Sequence, residues 1–455
     1  MSSRLAPAPI AARSAPPPAP RGFLPRPINK IEDTGLSLFA LSELTLKIFY
    51  NSGTLTGFRT SELIALPFLG VMDQVLEYLK REKFLEIKTT GGAGFGEGAY
   101  LYGITGQGIE RAREALARNQ YAGPAPVLID EYIAAIRAQA AQRKMVNLRL
   151  IRQALADLVI NERMLNRIGP AVNSGTSLFL YGAPGNGKTS IARAIGNITL
   201  QEDIYVPFAV DVDGQIIKVY DNVNHMLARD EDTPNGAAPG GTSILRNGSV
   251  KRDPRWVRIR RPFIVVGGEL TLGGLDLQFN EVNRFYEAPF QMKANGGLFL
   301  IDDFGRQQAR PRDLLNRWIV PLENRVDFLT LANGRKIEIP FEVLVVFSTN
   351  LPPKDLVDEA FLRRIRHKIE IVDPSPDEYR DIMRRVCEAK HVAYDDRGLA
   401  YLIQEWYLKR NRKLRANHPR DLAEQILDVA AFMSVEPALS KDMIDRAAES
   451  YFVEL

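Results

Sequence analysis

The stretch SLFLYGAPGNGKTSIARAI, residues 177 to 195, constrains this chain more than any other. A short apolar run ends in a glycine-rich turn, and a helical pattern starts at once. The turn fits GxxxxGK[ST] through Gly182, Gly187, Lys188 and Thr189. Ala183, Pro184, Gly185 and Asn186 form its interior, and Ser190 follows. Glycines let the backbone curl until successive N–H groups face one anionic ligand. The N-terminus of the next helix adds a positive dipole end. The pattern reads as a cradle for nucleotide phosphates, with Lys188 reaching the β and γ phosphates and Thr189 ligating Mg²⁺.

Downstream, LFLIDDFGR (298–306) is an apolar run that ends in two adjacent carboxylates, Asp302 and Asp303. One acid at a strand tip would be a turn residue. Two after such a run suggest a metal and a water. In a phosphate-loop ATPase this strand lies beside the first, so Asp302 is expected to hold the Mg²⁺ shell and Asp303 to polarise the attacking water.

Three further motifs follow in order: FEVLVVFSTN ending at Asn350, VDEAFLRRIRHKIEI with Arg363 and Arg364, and ANHPRDLAEQIL with Arg420. Together with the phosphate loop and the acid pair, they resemble the AAA+ ATPase superfamily. The resemblance implies an α/β fold, a parallel phosphate-loop sheet with a helical lid, that binds ATP and Mg²⁺. It implies that Asn350 is sensor 1, that Arg363 or Arg364 (with a slight preference for Arg364) is an arginine finger offered to a neighbouring subunit, and that Arg420 is sensor 2. A finger acting in trans implies a homo-oligomeric ring, expected to be a hexamer. The family more often has Glu where Asp303 stands. Asp is one methylene shorter, so its carboxylate stands roughly 1.5 Å further back, and a displacement near 1 Å can cost about 100-fold in rate.

Within the superfamily, VDFLTLANGRKIEIP (326–340) places Asn-Gly between alternating apolar residues, a hairpin signal just before the sensor 1 strand. That resembles the MoxR-type, magnesium-chelatase and enhancer-binding branches. The combination VDGQIIKVYD, GGELTLGGLDL and QMKANGGLFLIDDFGR is similar to a bacterial group of predicted chaperone-type ATPases, sometimes linked to Flp pilus assembly.

The remaining sequence divides around this core. Residues 1–35 begin with a Pro/Ala-rich run that cannot bury a core and read as a disordered tail. Residues 36–118 carry three helical patterns, then FLEIK, the glycine-rich GGAGFGEGA, and YLYGIT, which resembles a winged helix. Its third helix is expected over PFLGVMDQVLEYLKREK, with Leu69, Met72, Val75, Leu76 and Leu79 on one face. Residues 119–168 read as linker and helix, 169–373 as the α/β core with an insertion at 205–283, and 374–455 as the helical lid. In the insertion, VPFAVDVDGQIIKVY reads as a hairpin turning at Asp213-Gly214, and DEDTPNGAAPGGTS as a mobile loop. GELTLGGL reads as either a pore-facing loop or a structural hairpin.

Composition excludes several classes. A single cysteine, Cys387, permits no internal disulfide and points to a reducing, cytoplasmic compartment. No apolar run reaches the roughly 20 residues of a membrane span. A net charge of +4 does not demand nucleic acid. The face of 67–83 left for a partner is balanced in charge, and VKRDPRWVRIRRPFIVV, basic with Trp256, reads more readily as a strand than as a base-stacking surface. The expected function is ATP-driven remodelling of a protein client. A DNA-acting motor using the winged domain and a nucleotide-gated scaffold are the alternatives.

Overall fold

The structure is a computed structural model and describes residues 23–89, 96–199, 201–228, 252–356 and 359–452. Its centre is a five-stranded parallel sheet in the order 263–266, 298–301, 344–349, 177–181, 367–370. The strands 298–301 and 344–349 are buried along their whole length, as apolar runs covered on both faces must be. Leu178, Leu180, Leu298, Leu300, Leu344 and Val346 face the helix Lys188–Thr199. Phe179, Phe299, Ile301, Val345 and Phe347 pack on the other side around Trp318. All five strands run the same way, so their C-terminal ends open on one edge. The phosphate loop, the acid pair and Asn350 each follow directly from one of those ends.

The boundaries expected for the insertion need correction. Strand 263–266 lies within 205–283 yet pairs with 298–301 in the central sheet. The inserted material is therefore two pieces flanking a core strand. Strands 209–212, 215–218, 278–280 and 285–287 form a second sheet, joined at its edge by Val127–Leu128. Asp213 (φ 51°) and Gly214 (φ 82°) turn the first hairpin, with the paired positive φ values of a type I′ turn. GELTLGGL is no strand hairpin: Leu270 and Leu275 are buried, Leu272 points outward, and 273–275 form a 3-10 turn.

The hairpin before the sensor 1 strand pairs 326–330 with 336–340. It closes through Leu331 and Arg335 rather than a two-residue turn. Leu331 N–H donates to Arg335 O at 2.9 Å, Gly334 N–H donates to Leu331 O at 2.8 Å, and Gly334 has φ 83°. Leu329, Leu331, Ile337 and Ile339 bury this hairpin against the second sheet, and Arg335 pairs with Asp213 between the two tips.

The N-terminal unit combines three helices with a small sheet. Helices Leu38–Ser52, Gly57–Ile64 and Asp73–Arg81 precede strands 85–89 and 101–104, which with 54–56 form a three-stranded sheet. Its glycine-rich tip at 91–98 lies mostly outside the described residues, as do 1–22 of the expected tail and the 230–243 loop. Two expectations fail here. Residues 23–35 are ordered, because Phe23 packs edge-on against Tyr205 and Trp256 and Ile28 is buried in the domain core. The third helix does not carry Leu69 on its buried face. Gly70 (φ 83°) breaks the helix where a Cβ would lie 2.1 Å from Asn29 O, and Leu69 is 78% exposed.

The segment 119–130 is no free linker. Tyr121 and Ala125 belong to the N-terminal core, which also takes in Ala209 and Ile216 of the second sheet. Arg255, 1% exposed, pins the junction. Its guanidinium donates to Thr34 O at 2.9 Å, to Pro126 O at 3.0 Å and to the Asp253 carboxylate at 2.8 Å. Trp256 is 7% exposed, so its ring is not available for stacking on bases.

The lid comprises helices 376–390, 396–402, 418–433 and 441–451 around Tyr379, Met383, Cys387 and Leu422. Burial pushes the Cys387 thiol up to about 11. No helix among the described residues is long and apolar enough to cross a membrane.

Candidate functional site

A cavity of about 550 Å³ lies at the C-terminal edge of the central sheet, under the lid. Its polar lining comprises the phosphate loop, Asp303, Asn350 and Arg420. Its apolar lining comprises Leu158, Val159, Ile160 and Met164, with Ile382 and Val386 from the lid. The sequence alone did not disclose this apolar lining. Its signal was the run LVI between two helices, which carries no chemistry until the lid closes over it.

The phosphate loop folds back on Lys188, whose ammonium donates to Gly182 O at 3.0 Å and Ala183 O at 2.9 Å. Burial pulls the Lys188 pKa below its ordinary value, while Asp303 and Asp302 act in the opposite direction. Helix 188–199 begins at this residue, so its positive end faces the cavity.

Thr189 Oγ1 lies 3.0 and 2.9 Å from the two Asp302 oxygens. An octahedral ion with arms of about 2.0–2.1 Å separates neighbouring ligand oxygens by roughly 2.9 Å. The hydroxyl and the carboxylate therefore stand at a spacing that fits Mg²⁺. Among the described residues no group of three or more Asp, Glu, His or Cys side chains could hold a metal by itself. Mg²⁺ fits that count, since it takes one or two carboxylates and fills its shell with water and phosphate oxygens.

Asp303 follows in a left-handed conformation, φ 48°. Its backbone N–H donates to Asp302 Oδ1 at 3.1 Å, and its own Oδ1 accepts from Asn350 Nδ2 at 3.1 Å. The two acids thus face different partners, Asp302 the threonine hydroxyl and Asp303 the asparagine amide. Gln307, 9% exposed and also unanticipated, closes the turn beneath them.

The lid is fastened to the phosphate loop. Asn186 Nδ2 donates to Asp373 Oδ1 at 2.7 Å, and Asp373 also pairs with Arg415. Ala416 N–H donates to Asn186 Oδ1 at 3.3 Å, and Asn417 N–H donates to Gly185 O at 2.8 Å. Gly185 (φ 82°) has no room for a Cβ, which would meet Asn417 Oδ1 at 2.1 Å. Arg420 lines the cavity from the start of helix 418–433, and its charge is shared with Asp421 at 3.2 Å.

Arg363 and Arg364 are not part of this cavity. They precede strand 367–370 at the opposite edge of the sheet, where Arg366 N–H donates to Ser177 Oγ at 3.2 Å. Strand 177–181 then separates them from the phosphate loop by about 13 Å, at roughly 3.3 Å per residue. They line a separate groove of about 640 Å³ with Glu323, Arg325 and Arg366. Arg364 is held by Glu323 at 2.6 Å, whereas Arg363 is exposed.

These features define a phosphate-loop α/β fold with a helical lid closing over its cavity. The description "Domain of unknown function (DUF8689)" matches residues 375–450, which are the lid. No curated protein matches the chain. Among solved structures, a point mutant of RuvB from Thermotoga maritima is 13% identical, with 67% of this chain and 74% of that one covered at a TM-score of 0.39. NtrX from Brucella abortus in complex with ADP is 14% identical, covering 74% of this chain and 64% of that one at 0.38. The Thermotoga maritima RuvB Holliday junction branch migration motor is 14% identical, covering 68% and 71% at 0.35.

Proposed function

We propose that the chain is an AAA+-type ATPase that works as a homo-oligomer and uses ATP hydrolysis to remodel a protein client. One observation carries this reading. A single cavity is lined by Lys188, Thr189, Asp303, Asn350 and Arg420 and also by the apolar Leu158, Ile160, Met164, Ile382 and Val386, a mixture that suits a triphosphate and a base. Arg363 and Arg364 stand too far away to complete the site from within the same chain, which supports their use by a neighbour.

The division of labour follows from the geometry. Phosphoryl transfer to water needs positioning and charge stabilisation more than covalent help. The loop N–H groups and Lys188 bind the phosphates. Thr189 and Asp302 would hold Mg²⁺, which when bound would neutralise charge on the phosphoryl oxygens. Asp303 orients and deprotonates the attacking water, and Asn350 fixes the Asp303 carboxylate. Arg420 brings lid charge to the phosphates, and Arg363 or Arg364 brings a neighbour's.

A protein client is supported by the N-terminal domain. Residues 36–118 carry nine Lys and Arg against nine Asp and Glu, without the net positive charge that phosphate contacts need. The buried Trp256 removes the other nucleic-acid surface suggested by sequence.

Asp303→Asn tests the reading. The variant should bind ATP with native affinity, lose turnover by about 100-fold or more, and retain its client in the ATP-bound state. Turnover at the native rate would refute the role given to Asp303. Capture of DNA rather than protein would refute the client class.

A further inference from the structure

The two acids stand on a turn that strand 344–349 holds from one side, Phe304 N–H donating to Ser348 O and Thr349 Oγ1 to Phe304 O, both at 2.7 Å. Asp302 N–H still belongs to the sheet edge, donating to Val266 O at 2.8 Å, but the chain then leaves the strand through the left-handed Asp303. Gln307 meets the turn. Its Nε2 donates to Asp302 O at 3.0 Å and to Asp303 O at 3.3 Å, and its Oε1 accepts from Gly305 N–H at 2.8 Å. One amide thus engages the main chain of both acids and of the glycine beyond them. A longer contact of 3.5 Å reaches Gly267 O, on the loop after the neighbouring strand.

We propose that Gln307 is a positioning residue that holds Asp303 in reach of the attacking water. This inference rests on the ATPase reading above. The physical case has three parts. The left-handed conformation of Asp303 is unfavourable for most side chains and persists only where surrounding contacts impose it. Gln307 supplies such contacts on both sides of that residue. The amide is buried, so its bonds do not compete with bulk water, and losing them takes a donor from Asp302 O and from Asp303 O, the latter also accepting from Arg306 N–H at 3.0 Å. The short carboxylate of Asp303 has little slack, so small rotations of the turn carry its oxygens away from the water. Gln307 touches neither phosphate loop nor cavity, which separates its effect from nucleotide binding.

The test is a double-mutant cycle in the full-length chain, using Gln307→Glu, Asp303→Asn and the double variant. Glutamate keeps the length and can still accept from Gly305, but as a carboxylate it cannot donate to the two carbonyls. Gln307→Glu should lower kcat by about 10- to 100-fold and leave nucleotide affinity, measured with a fluorescent ATP analogue, within about twofold. In the Asp303→Asn background the same change should cost nothing further, because the residue it positions is already disabled. Gln307→Met, isosteric and uncharged, should reproduce the loss of kcat and exclude a charge effect. Native kcat in both Gln307 variants would overturn the proposal, as would a loss that multiplies with that of Asp303→Asn. If the native chain hydrolyses no ATP, or Asp303→Asn keeps full turnover, the ATPase reading fails instead, and the two failures are told apart by those controls.

Discussion

Asp303 sits at φ 48°, and that conformation accounts for its identity. L-residues pay roughly 1–2 kcal/mol in the left-handed region, and Asp is one of the few that visit it routinely, because its short polar side chain can bond locally. A glutamate visits that region less readily, so it would strain a turn that surrounding contacts already have to impose. The contact with Asn350 at 3.1 Å is also already made by the shorter side chain. Asp303→Glu is therefore expected to turn over ATP no faster than the native chain when kcat is measured at saturating substrate. A faster enzyme would show that the native carboxylate under-reaches. At this scale legibility follows contiguity. The phosphate loop, the acid pair and Asn350 each end an apolar run, and their chemistry is local. Gln307 was not legible, since an amide four residues past an acid has meaning only once the turn has closed. Nor was the difference between Arg363 and Arg364, because Glu323 reaches Arg364 from 41 residues away.

Elements were legible where one period dominates and illegible where two units share a segment. Strand 344–349 is buried at every position, as its unbroken apolar run required. Helix 73–81 starts six residues later than the spacing predicts, since Leu69 fits the helical period but Gly70 takes a positive φ against Asn29. The insertion was misjudged because FIVV follows the basic run VRIRRP without a break, although it pairs in a different sheet. Arg255 was invisible for a similar reason, being one arginine among several, of which it and Arg261 are buried. Unlike Arg261, it ties the N-terminal unit to the second sheet through Thr34, Pro126 and Asp253. Arg255→Met keeps most of the volume but leaves Asp253 buried without its cation. Such losses cost about 3–5 kcal/mol, to be read from chemical denaturation. A loss under about 1 kcal/mol would mean that apolar contacts alone dock the domain.

Over the whole molecule, the parallel sheet has two working edges. One holds the cavity, and the other, about 13 Å away, carries Arg363, Arg364 and Arg366. On the function proposed above, arginines on that far side would serve the cavity of a second copy, packed head to tail. Mixing tests this. Arg363→Ala and Asp303→Asn should each be inactive alone. Equal mixing should restore activity at about a quarter of interfaces, those pairing an intact cavity with an intact arginine. No recovery on mixing, with oligomers confirmed by light scattering, would argue against a shared site, and native turnover in Arg363→Ala would pass the role to Arg364.

The fastening of lid to phosphate loop has a kinetic consequence. Asn186, Asp373 and Arg415 join the loop to the lid, and Asn417 lies directly on Gly185. The loop therefore cannot relax outward unless the lid swings with it. On the function proposed above, a nucleotide held by that loop would leave only as fast as the lid opens, so product release rather than bond cleavage is expected to set the pace, which pre-steady-state kinetics would read as a burst.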